Sequence, residues 1–203
     1  MMRAEHTRPF VLPDELPVMV LERCYLLPGG VKPLYIFEER YRRMLDHALS
    51  THRMFCIGDR RRTGGIRPVT TAGVIATSVL APDGTSQMVL HGIQRVRITE
   101  WIQKEPFPIA KIEPFTTIRG SEEQLADLAR QSIALLDQFD DPEVKIQLTF
   151  LREVLEKKND PEFVCDLITS FTVLRASAQR AVLEEASLVR RYEILLTEMN
   201  RPS

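Results

Sequence analysis

The residues of this 203-residue chain that could do chemistry are four histidines, three cysteines and several adjacent pairs of acids. A helical metal pair needs i, i+4 spacing so that two imidazoles reach one ion. His47 and His52 stand five apart, His6 and His91 are remote from them, and no HExxH occurs. The histidines therefore read as solvent-facing or strand-end residues. Cys24, Cys56 and Cys165 form no CxxC pair. Cys56 within Phe55-Cys56-Ile57 and Cys165 beside Val164 read as small core hydrophobes rather than nucleophiles. An odd set of unpaired thiols suits a reducing, cytoplasmic setting. Glu38-Glu39, Glu122-Glu123, Asp140-Asp141 and Glu184-Glu185 mostly sit at or near helix starts, where the macrodipole favours acids. General acid–base work needs two carboxylates converging on a pocket, and helix-start chemistry accounts for these without one. Gly29-Gly30 lacks a following Lys-Ser/Thr, and no GxxxxGK[ST] loop occurs anywhere, so a turn is the better reading than a phosphate cradle. The expectation is no catalytic residue, no metal and no cofactor.

Two features point to binding instead. Arg60, Arg61, Arg62 and Arg67 place four arginines within eight residues, offset by Asp59 alone. Such a cluster can contact anions or nucleic acid, although no aromatic residues interleave with it. A solvated loop tip is the simpler alternative. Trp101 and Phe107, with Phe10 and Phe115, are candidates for an exposed apolar groove, the alternative being core. A recognition surface needs apolar area left open to solvent.

These residues must be positioned by two dissimilar halves. The hydrophobic share of 44% and charged share of 27% belong to a globular chain and exclude disordered, collagenous and disulfide-scaffold classes. No apolar run reaches the roughly 18 to 20 residues of a membrane span, and the N-terminus lacks the apolar core of a secretory signal. Residues 1–120 carry 17 basic against 12 acidic side chains, and residues 121–203 carry 10 against 16. A sign change at one point suggests two units. Most prolines and every glycine lie at or before residue 120. Between them, short strands are expected at 16–21, 31–37, 54–58, 72–80, 87–91, 95–103 and 107–115. Asp83-Gly84 marks a hairpin turn between two of them. In 95–103, Val96, Ile98 and Ile102 share one face, with Arg95, Arg97 and Thr99 on the other. Residues 38–49 carry an apolar helical stripe of Tyr41, Met44, Leu45, Ala48 and Leu49, read as a cap or plug on a small barrel or sandwich.

After Gly120 the period becomes 3.6. Ser121 with Gln124 forms a capping box, and Asp141-Pro142 and Asp160-Pro161 each place an acid before a first-turn proline. The helices they open carry Val144, Leu148, Leu151 and Leu155, then Val164, Leu167, Ile168 and Phe171. Residues 178–199 form one helix or two, with Ser187 as a second N-cap.

Leu16-Pro17-Val18, Leu27-Pro28-Gly29-Gly30, the run from Pro33 to Glu38 and Arg40-Tyr41 together resemble the opening of the Lon protease N-terminal, substrate-recognition domain. Gly73-Val74, Asp83-Gly84-Thr85, the run from Gly92 to Ile98, Pro106-Phe107 and the run from Ala110 to Glu113 recur in that family in the same order. Ala178 to Glu184, Arg190-Arg191-Tyr192 and Leu195-Leu196 are similar to its helical end. The resemblance implies an α+β chain: a PUA-like β-barrel over 14–118, then an α-helical subdomain over 120–200. It also implies a free-standing, non-catalytic relative of a proteolysis component, of bacterial type, without ATPase or protease modules. Its implied partners are unfolded or extended polypeptides, and a protease or other protein. The peptide-binding candidates are then Tyr35, Phe37, Trp101 and Phe107, and Glu38 with Arg40 is an ion pair anchoring the helix. Nucleic acid bound through the barrel and the Arg60–Arg62 loop is the alternative.

Overall fold

The computed structural model of the chain describes residues 11–201 apart from Arg62, Asp140, Asp141, Asn159 and Leu174. The side chains of 142–147, Phe150 and Glu156 are also left out. Readings made at His6, Phe10, Arg62, Asp140, Asp141 and the Val144 side chain fall outside the described residues. The architecture is α+β. Strands β1 (Glu15–Val20), β2 (Val31–Ile36), β3 (Met54–Gly58), β4 (Val69–Leu80), β5 (Ser86–Gln103) and β6 (Ile109–Pro114) enclose one helix, α1 (Glu39–Ser50), in the chain order. Helices α2 (Glu122–Ala134), α3 (Pro142–Lys157), α4 (Pro161–Thr172), α5 (Ala176–Glu184) and α6 (Leu188–Met199) follow.

The sheet closes on itself. β1 pairs in parallel with β3 and antiparallel with β6, β3 pairs with β4, β4 with β5, and β5 returns to β6. β2 stands outside this ring, paired among the described strands with the first part of β5 alone. Alternation sorts the strand residues into two apolar clusters. Leu16, Val18, Cys56, Ala72, Val96 and Ala110 form one, whereas Met19, Phe55, Ile57, Ile75 and Leu90 form the other. Tyr41, Met44, Leu45 and Ala48 of α1 pack into the second cluster, and the Tyr41 hydroxyl donates to the Val20 carbonyl at 2.9 Å. Tyr41 thus ties the helix to the end of β1. The Arg40–Glu38 pair forms at 2.8 Å but is half exposed and local to the helix start, and such pairs contribute little.

β5 is one 18-residue strand where two were expected at 87–91 and 95–103. Gly92, which lies between those two spans, carries the ladder through, paired with Gly73. Its lack of a side chain is required: a Cβ there would lie 2.2 Å from the Leu27 carbonyl oxygen. Register shifts between Ile98 and Glu100 and between Trp101 and Gln103 then change the facing of the strand's end. Ile98 is buried while Ile102 is exposed, so the expected shared face of Val96, Ile98 and Ile102 stops at Ile98.

The helices gather Leu125, Leu136, Leu151, Val164, Ile168, Leu188, Tyr192 and Leu195 into a separate core. At roughly 1.5–3 kcal/mol per fully buried large apolar side chain, this is the main term holding the bundle. Ser121 caps α2, accepting from the Gln124 N–H at 3.2 Å, and Asp160 caps α4, accepting from Phe163 at 3.1 Å. Ser187 caps α6, so residues 178–199 contain two helices. No helix among the described residues is long and apolar enough to cross a membrane.

Candidate functional site

Two surfaces hold the candidates Tyr35, Phe37, Arg60, Arg61 and Arg67, and one buried joint holds a charged network. The first surface is the outer face of β2, β5 and β4. Val31, Tyr35 and Phe37 on or just beyond β2, with Val79 and Leu80 at the end of β4, are five of the eight large hydrophobics exposed among the described residues. Pairing brings Tyr35 and Val79 onto one face, because Tyr35 faces Gln87 on β5 and Gln87 faces Val79 on β4, whereas Leu80 pairs with Ser86 and falls on the other face at the strand's end. Tyr35 is 56% exposed and Phe37 59%, and their rings stack at 5.8 Å between centroids with an interplanar angle of 26°. Beside them lies a hollow of about 460 Å³ lined by Pro33, Tyr35, Thr77, Val79 and Val89. Among the described residues β2 is paired on one side, so its other edge presents open backbone groups. Pro33, an edge-strand residue, withholds one donor from the strand.

The other two aromatic candidates are elsewhere. Phe107 is only 6% exposed, its ring against His47 at 5.5 Å within the core shared with α1. In this fold its ring faces the core rather than an exposed groove. Trp101 is half-buried against the Val96 and Ile98 cluster, at the end of β5 opposite the one that meets Tyr35.

The second surface is the arginine loop between β3 and β4. Arg60 pairs its backbone with Ile66, and Arg60 and Arg61 are exposed. Arg67 is not a free loop cation: its guanidinium binds Asp59 at 3.2 Å and Glu184 of α5 at 3.0 Å. Asp59 also accepts from the Tyr25 hydroxyl at 2.5 Å. Burial first, and then that hydrogen bond and the Asp59 charge, push the Tyr25 phenol up to about 12.

The joint between strands and helices is polar and was missed. Arg95 was assigned to the polar face of an alternating strand, but it is 3% exposed. The face opposite Val96 is covered by helices rather than by water. Arg95 makes a two-pronged ion pair with Asp166 of α4, one arm donating at 2.6 Å, and also donates to the carbonyls of Leu183 and Val182. Beside it, Arg191 of α6 donates to Glu162 at 2.7 Å and to the Thr117 hydroxyl at 3.0 Å, and Thr117 in turn donates to Glu162. Burial alone would lift the Glu162 carboxyl. Hydrogen bonds from Thr117 and Arg191 and the charges of Arg191 and Arg95 outweigh it and hold the group below its ordinary value. The available signal was Asp166 itself, one acid inside the apolar run Val164-Cys165-Asp166-Leu167-Ile168.

Apolar contacts close the same joint. Tyr25, Leu27 and Val69 pack against Val182 and Leu183 of α5. The Leu27-Pro28-Gly29-Gly30 loop lies so close to α4 that a Cβ on Gly29 would meet the Phe163 ring at 2.9 Å, and one on Gly30 the Ser170 hydroxyl at 2.7 Å. Gly29 also has a φ of +78°, a region glycine enters without strain. The glycine pair thus serves docking as well as turning. Cys56 and Cys165 are both buried, and burial pushes the Cys56 thiol up to about 12 and Cys165 upward as well. Neither offers a thiolate.

Comparison with known proteins agrees with this architecture. Lon protease of Trichlorobacter lovleyi is 27% identical over 203 residues, covering 93% of this chain and 24% of that protein. Lon protease of Dictyoglomus thermophilum is 25% identical over 195 residues, covering 90% and 24%. The chain thus spans about a quarter of the length of these relatives. Among solved structures, the N-terminal domain of Mycobacterium avium complex Lon protease superposes with a TM-score of 0.75 at 16% identity, covering 93% of this chain and all of that one. A Lon N-terminal domain protein from Xanthomonas campestris gives 0.61 at 21% identity, over 90% and 97%. The model of the ATP-dependent protease La (LON) substrate-binding domain matches residues 15–201, and the chain belongs to that family.

Proposed function

We propose that this chain recognises extended, apolar segments of other polypeptides on the β2 face, without catalysing a reaction itself, and serves as an adaptor that presents such clients to a proteolytic partner. The observation that carries this reading is the stacked, exposed Tyr35–Phe37 pair on a strand with one open edge. An extended peptide can add to such an edge through main-chain hydrogen bonds, while alternate side chains settle on the neighbouring apolar face. Aromatic groups supply large contact area at small entropic cost. A monomer rarely leaves a contiguous patch of this kind uncovered. Substrate binding is also what the family is described by.

The test is fluorescence anisotropy of a labelled, permanently unfolded polypeptide titrated with the chain at low and high salt. Saturable binding that persists at high salt, and falls about tenfold or more in Tyr35→Ser/Phe37→Ser, is the expected outcome, since truncating a buried aromatic anchor costs about 2 kcal/mol or more. Binding lost with salt, or unchanged in the double variant, would remove the β2 face from the account.

A further inference from the structure

We propose that the cleft between the β3–β4 loop and the start of α5 is a binding site for a compact phosphate-bearing anion. This site is separate from the β2 face and does not depend on peptide recognition. The cleft has a volume of about 540 Å³, and Arg23, Arg60, Arg61, Arg67 and Arg180 all line it. That volume lies within the roughly 300–1,000 Å³ of small-molecule sites.

The neighbouring acids are already engaged. Asp59 accepts from Tyr25, from Arg67 and from the Arg23 backbone N–H, and both oxygens of Glu184 lie on Arg67. Arg67 thus bridges both of these acids at the floor of the cleft. The side chains of Arg23, Arg60, Arg61 and Arg180 have no salt bridge among the described residues, with Glu22 as the remaining acid on the wall. Five guanidinium groups against Asp59, Glu184 and Glu22 leave a surplus of two positive charges. Planar guanidinium forks match phosphate oxygens in pairs.

Two further observations aim this charge inward. Ala176 and Ser177 at the start of α5 also line the cleft. The first N–H groups of a helix lack intrahelical acceptors, and Arg175 supplies no capping side chain, so the positive dipole end of α5 borders the same space. Arg23 holds a left-handed backbone, φ 55°, at the cleft's edge. A non-glycine residue keeps that conformation only where its surroundings enforce it, here through its N–H to Asp59.

A compact ligand fits better than a nucleic-acid strand. Strand binding combines a basic groove with aromatic platforms for the bases, and Tyr25, the one aromatic residue lining the cleft, is buried with its hydroxyl committed to Asp59.

The experiment is isothermal titration calorimetry of the full chain with inorganic pyrophosphate, with ADP, and with a short single-stranded oligonucleotide. Saturable pyrophosphate binding is expected, weakened about tenfold or more in Arg60→Gln/Arg180→Gln, as loss of charge-assisted hydrogen bonds dictates, and unchanged in the remote Arg130→Gln. ADP binding more tightly than pyrophosphate would place a nucleotide in the cleft, and equal affinities would place the phosphate group alone there. Either supports the site. If the double variant melts early, the exposed Arg61→Gln carries the same test. Absence of pyrophosphate binding, equal affinity in the arginine variants, or binding of the oligonucleotide that pyrophosphate does not displace would overturn it.

Discussion

The joint and the β2 face invert the usual distribution of polarity in opposite ways. At the joint, Arg95, Asp166 and Arg191 are charged and buried, and each is hydrogen-bonded within one network that also holds Glu162 and Thr117. On the β2 face, Tyr35, Phe37 and Val79 are apolar and exposed, and within this chain their apolar surface remains open to solvent. Buried charge is tolerated only when paired, so the joint demands a fixed relation between strands and helices. Exposed apolar surface is tolerated when it has a use, so the face can accept change without harm to the fold. Stability and binding should therefore separate cleanly between the two regions.

The largest effect is expected from Asp166→Ala, which takes the two-pronged partner from buried Arg95 and leaves it Glu162 alone, at 3.6 Å. It should lower unfolding free energy by about 3–5 kcal/mol in urea titrations. Arg95→Met/Asp166→Leu should recover most of the loss, because replacing both partners with apolar groups removes the orphaned charge. A single variant as stable as the parent would mean that the network is ornamental. Next comes Gly92→Ala. The new methyl would press on the Leu27 backbone, at a cost of about 1–3 kcal/mol by thermal unfolding. Tyr35→Ser/Phe37→Ser should change stability by no more than about 0.5 kcal/mol while weakening polypeptide capture about tenfold or more. A variant that loses both together would erase the distinction between the regions.

The smallest effect concerns pH. The folded-state pKa of Glu162 lies below its ordinary 4.5. Its contribution is then complete above the unfolded-state value and lost as pH falls through the folded one. Glu162→Gln should flatten the acid limb of a stability-against-pH curve below pH 4.5, and an unaltered slope would show that Glu162 is not part of the acid response.

The strands and helices were legible where one physical signal governed them. Ser121, Asp160 and Ser187 mark helix starts through side chains that accept from the first turn, and the stripe from Tyr41 to Ala48 marks the buried face of α1. What alternation could not tell is what covers each face of a strand. Arg95 and Arg97 share one face by parity, yet Arg95 lies beneath α4 while Arg97 stays exposed. Bulges near the end of β5 broke the parity that would have buried Ile102. Of the aromatic candidates, Tyr35 and Phe37 lie in the open because β2 stands outside the closed ring, whereas Phe107 is drawn inward against α1. Both facts depend on long-range pairing that no local pattern encodes. The arginine loop was visible as a cluster, but its partners Arg23 and Arg180 come from distant positions and meet it only in the folded chain.

Hydrogen exchange of the chain with and without a permanently unfolded polypeptide tests the central claim most directly. New protection concentrated at residues 31–37, with the amides of α4 and the joint unchanged, is the predicted result. Protection centred on any other surface, or none at saturating polypeptide, would contradict recognition by the β2 edge.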